Sequence, residues 1–323
     1  MCRLKSMSRR AFLAASLALA TSAPLAILAE EQATPPRSGE PSREKPDAPS
    51  VCVALGSGGA NGLAHIPMLE VFDELGIVPK MIAGSSIGAI VGALYASGLS
   101  GAELRQLTTK FASEDRQIIR TLIQGSAGLS LTDLIRIDLD DGGLLDSSGF
   151  LDFLQEKLQV STFEELDVPL KLVAADYWKR EQVVLDKGPL IPAIKASMAV
   201  PGLFAPVALN DRLLVDGGTV NPLPFDLIHG ECDLTVAVDV SGGTTGTEGE
   251  KPDVLDALFN TFEIMQQAIT AEKMQYRKPD IHIRPQTSDI RLLHFHKAEQ
   301  IFSQSAPAAE ELRSALRAHL PGK

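Results

Sequence analysis

The apolar run Val51-Cys52-Val53-Ala54-Leu55 stops abruptly at Gly56-Ser57-Gly58-Gly59. A short unbroken run closed by glycines reads as a buried strand entering a turn. From Ala60 to Leu75 the period changes, and Leu63, Ile66, Leu69, Val71 and Phe72 fall on one helical face before Gly76 ends it. Met81-Ile82-Ala83 is a second strand-like run, halted at Gly84-Ser85-Ser86-Ile87-Gly88. The small apolar segment Ala89–Ala96 then predicts a helix buried against a sheet. Strand, glycine turn and helix, repeated, are the pattern of a parallel sheet.

Further strands are predicted at Leu170–Ala175, Val183–Leu185, Leu213–Val215 and Leu234–Val240, and Ile281–Arg284 is strand-like. Helices are predicted around Leu104–Phe111, Ser148–Gln159, Leu190–Met198, Asp253–Gln275 and Ala306–Leu320. The expected fold class is α/β: one domain over residues 50–305, its mostly parallel central sheet flanked by helices, with a C-terminal helix at 306–323. In the 254–275 segment, Leu255, Leu258, Phe259, Phe262, Met265 and Ile269 recur at helical spacing. Core packing is the expected role of that stripe; a lipid-facing lid beside the Gly/Thr-rich loop Ser241–Pro252 is the alternative.

Residues 1–29 have a different character. Arg3, Lys5, Arg9 and Arg10 precede an uncharged run from Ala11 to Ala29, and Glu30-Glu31 follow. A basic start, an apolar middle and a small-residue end make a secretory signal peptide, and paired arginines before Phe12-Leu13 are of the twin-arginine type. An uncleaved anchor is the alternative; Pro24 and the cleavage pattern at Ala29 favour removal. The expected location is periplasmic or secreted. Residues 30–49 hold five prolines, many charges and no periodicity, the composition of a disordered linker.

The chain carries a net charge of −11; without residues 1–29, 26 basic residues face 41 acidic ones, a net charge near −15. So acidic a surface excludes nucleic acid as a partner and gains nothing from anionic lipid headgroups, leaving transient, apolar contact with a membrane surface. Of the three cysteines, Cys2 lies in the leader, and Cys52 and Cys232 are read as separate buried thiols. Their spacing has no metal signature, and neither metal nor cofactor is expected.

Gly84-Ser85-Ser86-Ile87-Gly88 has the G-x-S-x-G form of a nucleophile elbow, with Ser86 central and Ser85 as the competing candidate. A serine on a sharp strand-to-helix turn exposes its hydroxyl, and the helix start adds positive potential beneath it. The earlier turn Gly56–Gly62 supplies backbone N–H groups of the kind that hold a tetrahedral oxyanion. A dinucleotide loop is disfavoured there: Ser57 stands where its first glycine belongs, and the next strand ends at a serine elbow. The base is the harder question. His65, His229, His282, His294, His296 and His319 offer no compelling triad member, although His282 fits the chain order of one. Asp216-Gly217-Gly218, at the end of the Leu213–Val215 strand, is better placed, whereas Asp141-Gly142-Gly143 reads as a solvated loop. Tyr177 and Trp178 are candidates for a pocket wall or a packed rim, and Ser197 is read as structural.

Together these blocks resemble the patatin-like phospholipases over residues 51–305. They are Leu55–Gly62, Gly84–Gly88, Ala196–Val207 and Asp216-Gly217-Gly218, in that order. The resemblance implies a Ser–Asp dyad in which Ser86 is the nucleophile and Asp216 activates it without histidine. It also implies an oxyanion hole from Gly58, Gly59 and Ser57, and release of fatty acid from a phospholipid or other acyl ester through an acyl-enzyme. The chain departs from the family at Ser57, where a further Gly is usual, and at Asn61, where Arg is usual. Ser57 is expected to narrow the conformations open to the turn. A triad-type α/β-hydrolase esterase and a non-catalytic acyl-binding envelope protein stay open beside the dyad hydrolase.

Overall fold

The computed structural model describes residues 49–114, 147–242 and 254–320. The leader at 1–29, nearly all of the linker, Asp141-Gly142-Gly143 and most of the 241–252 loop lie outside the described residues. The strands are Val51–Leu55 (β1), Met81–Ser85 (β2), Leu170–Asp176 (β3), Glu181–Leu185 (β4), Val207–Leu209 (β5), Arg212–Asp216 (β6), Leu234–Val238 (β7) and Ile281–Ile283 (β8). The helices are His65–Glu74 (α1), Ile87–Ala96 (α2), Gly101–Glu114 (α3), Ser148–Leu158 (α4), Leu190–Ser197 (α5), Val254–Tyr276 (α6) and Ala298–His319 (α7).

The strands form one eight-stranded sheet. Its central part, β8-β7-β1-β2-β3, is parallel throughout. Antiparallel strands finish it at β3, where β4 takes one edge and β6 the other, with β5 beyond β6. Alternation along β1 sends Val51, Val53 and Leu55 into the large core with Leu69, Phe72, Leu94 and Leu312. Cys52 and Ala54 face the other side, against Leu223, Phe225 and Ile228. Burial on both faces is why this strand reads as a continuous apolar run.

Several details differ from the sequence reading. The helix expected from Ala60 opens as a tight 3-10 segment, Gly59–Ala64, and α1 starts only at His65. Gly59 has φ 54°, and the Ala60 N–H leaves the helical pattern to donate to Leu292 O at 2.8 Å. The last helix begins at Ala298, not near 306, and runs through Pro307 with Ile301, Phe302 and Ser305 buried. Proline is a common first-turn residue, so it mimics a start signal here. Cys52 and Cys232 are not separate thiols but a disulfide, with Cα atoms 5.8 Å apart. The β1–β7 pairing, which sets Val51 beside Leu234, brings them together across 180 residues of sequence.

The core-packing expectation for α6 also fails in part. Leu258 is 47% and Met265 49% exposed, while Glu263, Gln266 and Thr270 are buried on its inner face. Polar clasps hold this helix: Lys273 Nζ binds Asp226 at 2.6 Å, Leu223 O at 3.1 Å and the Asn221 side chain. No described helix is long and apolar enough to cross a membrane.

Neither Cys52 nor Cys232 is expected to react with a thiol reagent in the native oxidised protein. Reducing the bridge is expected to lower stability by about 2–4 kcal/mol, read from the urea midpoint.

Candidate active site

The register along β3 assembles the site. Ser85, the last residue of β2, pairs with Val173, and Asp216, the last of β6, pairs with the next residue, Ala174. Both strands lie on the β3 edge opposite β4, one parallel to β3 and one antiparallel, so their C-terminal ends meet. Ser86 continues directly from β2 with φ 55° and ψ −120°, a conformation that costs a non-glycine residue about 1–3 kcal/mol. It persists because the surroundings hold it. The Ser86 N–H donates to Ser197 Oγ at 3.1 Å, and that hydroxyl donates to Val173 O at 2.6 Å. Two residues on, Ala199 O accepts the Asp216 N–H at 2.9 Å. The tight turn also needs Gly88, since a Cβ there would lie 2.1 Å from Leu55 O.

Asp216 is fully buried. Oδ1 accepts the Gly218 N–H at 2.7 Å, and Oδ2 has no close hydrogen-bond partner among the described groups. Burial raises its pKa to about 7; the neighbouring Ser86 side chain and the Gly218 N–H act the other way and favour the carboxylate. A carboxyl poised near neutrality with one oxygen uncommitted beside a strained serine is suited to exchanging a proton with it. Apo hydrogen bonds of this kind are often loose and tighten around substrate.

The glycine turn faces the same cavity as Ser86, through Ser57, Gly58 and Gly59. Ser57 differs from its expected part. Its N–H donates to Pro222 O at 2.7 Å and so is already committed, whereas Gly58 and Gly59 follow it on the cavity wall. Ser57 does not occupy the positive-φ region either, so the conformational restriction expected of it does not arise. Its buried Oγ instead accepts from Gln266 Nε2 at 2.8 Å, tying the turn to α6. Behind the turn, His65 Nε2 is 2.8 Å from Gly56 O, and burial lowers its pKa to about 4. This histidine is a neutral strut. Asn61 is buried too, its Oδ1 accepting from Thr287 Oγ1 at 2.8 Å while Nδ2 has no partner among the described residues.

The cavity measures about 890 Å³ with its open mouth included. Its walls are largely apolar, with Ile87, Ile90, Met198, Leu203, Phe262 and Leu292 among them. No histidine lines it. His282, the residue in triad order, lies on β8 with Nε2 3.6 Å from Asp239. His294 and His296 sit against each other. Ser85 is wholly buried, its Oγ turned toward Gly217 and without a hydrogen-bond partner among the described residues. Tyr177 and Trp178 stack edge to face, 51% and 74% exposed, away from the cavity walls. Among the described residues no cluster of His, Cys, Asp or Glu could hold a metal ion. Ser197, read from the sequence as structural, does hold two backbone groups in place. The residues missed from sequence are Glu263 and Gln266, which carried no signal.

The sequence profile described as Patatin-like phospholipase matches residues 53–229. An uncharacterised NTE family protein of Mycobacterium tuberculosis is 36% identical over 201 residues, which is 62% of this chain and 51% of that protein. A second from the same organism is 27% identical over 293 residues, 83% of this chain and 47% of its own length. Patatin-like phospholipase domain-containing protein 6 of Mus musculus is 29% identical over 194 residues, 59% of this chain and 13% of that protein. The chain spans about half the length of the mycobacterial relatives it matches. Among solved structures, VipD from Legionella pneumophila aligns at 13% identity and a TM-score of 0.43, covering 82% of this chain and 67% of VipD.

Replacing Ser197 by Ala removes the acceptor of the Ser86 N–H and the donor to Val173 O. The expected cost is about 1–3 kcal/mol in urea unfolding, from two buried backbone groups left unpaired.

Proposed function

Since the chain belongs to the patatin-like phospholipase family, we propose that it is a serine acyl-ester hydrolase acting on lipid esters through Ser86 and Asp216. The observation that carries this reading is the meeting of two strand ends on adjacent β3 rungs, beside one cavity that also holds the glycine turn. In the proposed reaction, Ser86 Oγ attacks the acyl carbonyl as its proton passes to Asp216. The Gly58 and Gly59 N–H groups hold the tetrahedral oxyanion, each such donor contributing about 3–4 kcal/mol. Collapse expels the alcohol, which takes the proton from Asp216, and leaves an acyl-enzyme. Water activated by the same carboxylate then releases the fatty acid. The apolar walls suit the acyl chain. Phospholipid or lysophospholipid is the proposed substrate class, and export through the twin-arginine-type leader, to the periplasm or beyond, completes the proposal.

A fluorophosphonate probe is expected to label the wild-type protein at Ser86 and to leave S86A unlabelled. An unlabelled Ser86 in folded protein contradicts every serine-hydrolase reading. D216N is expected to lower kcat by about 10³-fold or more, since an amide cannot take the proton. Loss of activity in a His282→Ala variant with D216N still active instead supports the triad alternative.

The pH profile follows from the sign of the Asp216 shift. The carboxylate is the active form, and burial raises its pKa to about 7. The kcat/KM for hydrolysis is therefore expected to climb through about pH 7 and level off above it. A profile already flat from about pH 5 upward contradicts Asp216 as the base.

A further inference from the structure

One buried acid in the cavity has no part in the chemistry above. Glu263 lines the wall from α6 and is only 7% exposed. Among the described residues no hydrogen bond or ion pair reaches its carboxyl, and burial alone raises its pKa to about 7. An acid held unpaired in a largely apolar wall is a standing cost to the fold unless a ligand meets it.

Helix geometry says where that ligand group lies. Glu263 and Gln266 are three residues apart and share the cavity-facing side of α6. Gln266 touches Ser57 in the turn that faces the nucleophile. Three residues advance a helix by about 4.5 Å, so Glu263 stands roughly one turn along α6 from the residue that makes that contact. A substrate with its ester at Ser86 therefore presents to Glu263 atoms only a few bonds from the ester. A near-neutral carboxyl both donates and accepts, as a hydroxyl does.

We propose that Glu263 is a specificity residue that hydrogen-bonds a free hydroxyl close to the scissile ester, and so selects partial esters that retain such a hydroxyl. The proposal rests on the acyl-hydrolase reading for the placement of the ester, and its test is a binding measurement that needs no turnover. The full-length S86A protein is titrated with glycerol monooctanoate, with methyl octanoate and with octanoylcholine. S86A is expected to bind the glycerol ester about 10-fold more tightly than the methyl ester, the worth of one good buried hydrogen bond. S86A/E263L is expected to bind these two within about two-fold of each other, while S86A/E263Q, whose amide keeps a donor and an acceptor, retains most of the preference.

Equal binding of the two esters by S86A, or no binding of either, overturns the proposal. So does a preference that survives in S86A/E263L, or an equal loss for both esters in S86A/E263L and S86A/E263Q. Tightest binding of octanoylcholine, lost with E263L, makes Glu263 a cation site and overturns it as well. Turnover and probe labelling of the wild-type protein report on the hydrolase reading separately.

Discussion

The site depends on one strand serving two partners along a single edge. β3 carries β2 as far as Val173 and β6 from Ala174 onward, and the antiparallel edge strand β4 closes its other side. Because β2 and β6 run toward each other, the chain leaves both at the same point, once as Ser86 and once as Asp216. Hydrogen-bond register is a rigid ruler, and a shift of one residue would turn both side chains to the wrong face. The end of α5 and the residues just after it lock the arrangement, with Ser197 bonded to Ser86 and Ala199 bonded to Asp216. The strained backbone at Ser86 is thus held by neighbours on separate elements.

Around this junction, the elements beside the cavity are held by polar clasps as well as by apolar packing. Gln266 holds Ser57, Lys273 holds the loop after Asp216, and His65 props the Gly56 carbonyl. These contacts give Ser57 a role that glycine lacks. Its backbone N–H belongs to Pro222, and its hydroxyl links the glycine turn to α6. They also explain how α6 keeps its place while Leu258, Ile264 and Met265 stand exposed.

Burial sets the electrostatics of the cavity. Asp216 and Glu263 are both raised toward neutrality by desolvation, but only Asp216 has neighbours that draw it back toward the charged form. In the proposed reading the two acids have different tasks: Asp216, beside Ser86, moves a proton, and Glu263, on the cavity wall, recognises a polar group.

The βα rhythm, the glycine turns and the serine elbow can be read from the order of residues alone, because each rests on local periodicity or on a conformation that few residues adopt. Val51–Leu55, Met81–Ala83 and Gly84–Gly88 are legible in that way, and Asp216 was legible as an acid closing a strand. Contacts between distant segments were not. The Cys52–Cys232 bridge, the bond from Ser197 to Ser86 and the Gln266–Ser57 tie join residues with no shared local pattern. Nor did the stripe on α6 distinguish a core face from a cavity wall, since helical spacing says which residues share a side but not what that side meets. These features follow from the three-dimensional packing, because strand register and helix docking fix which distant groups touch and how far water is excluded from them.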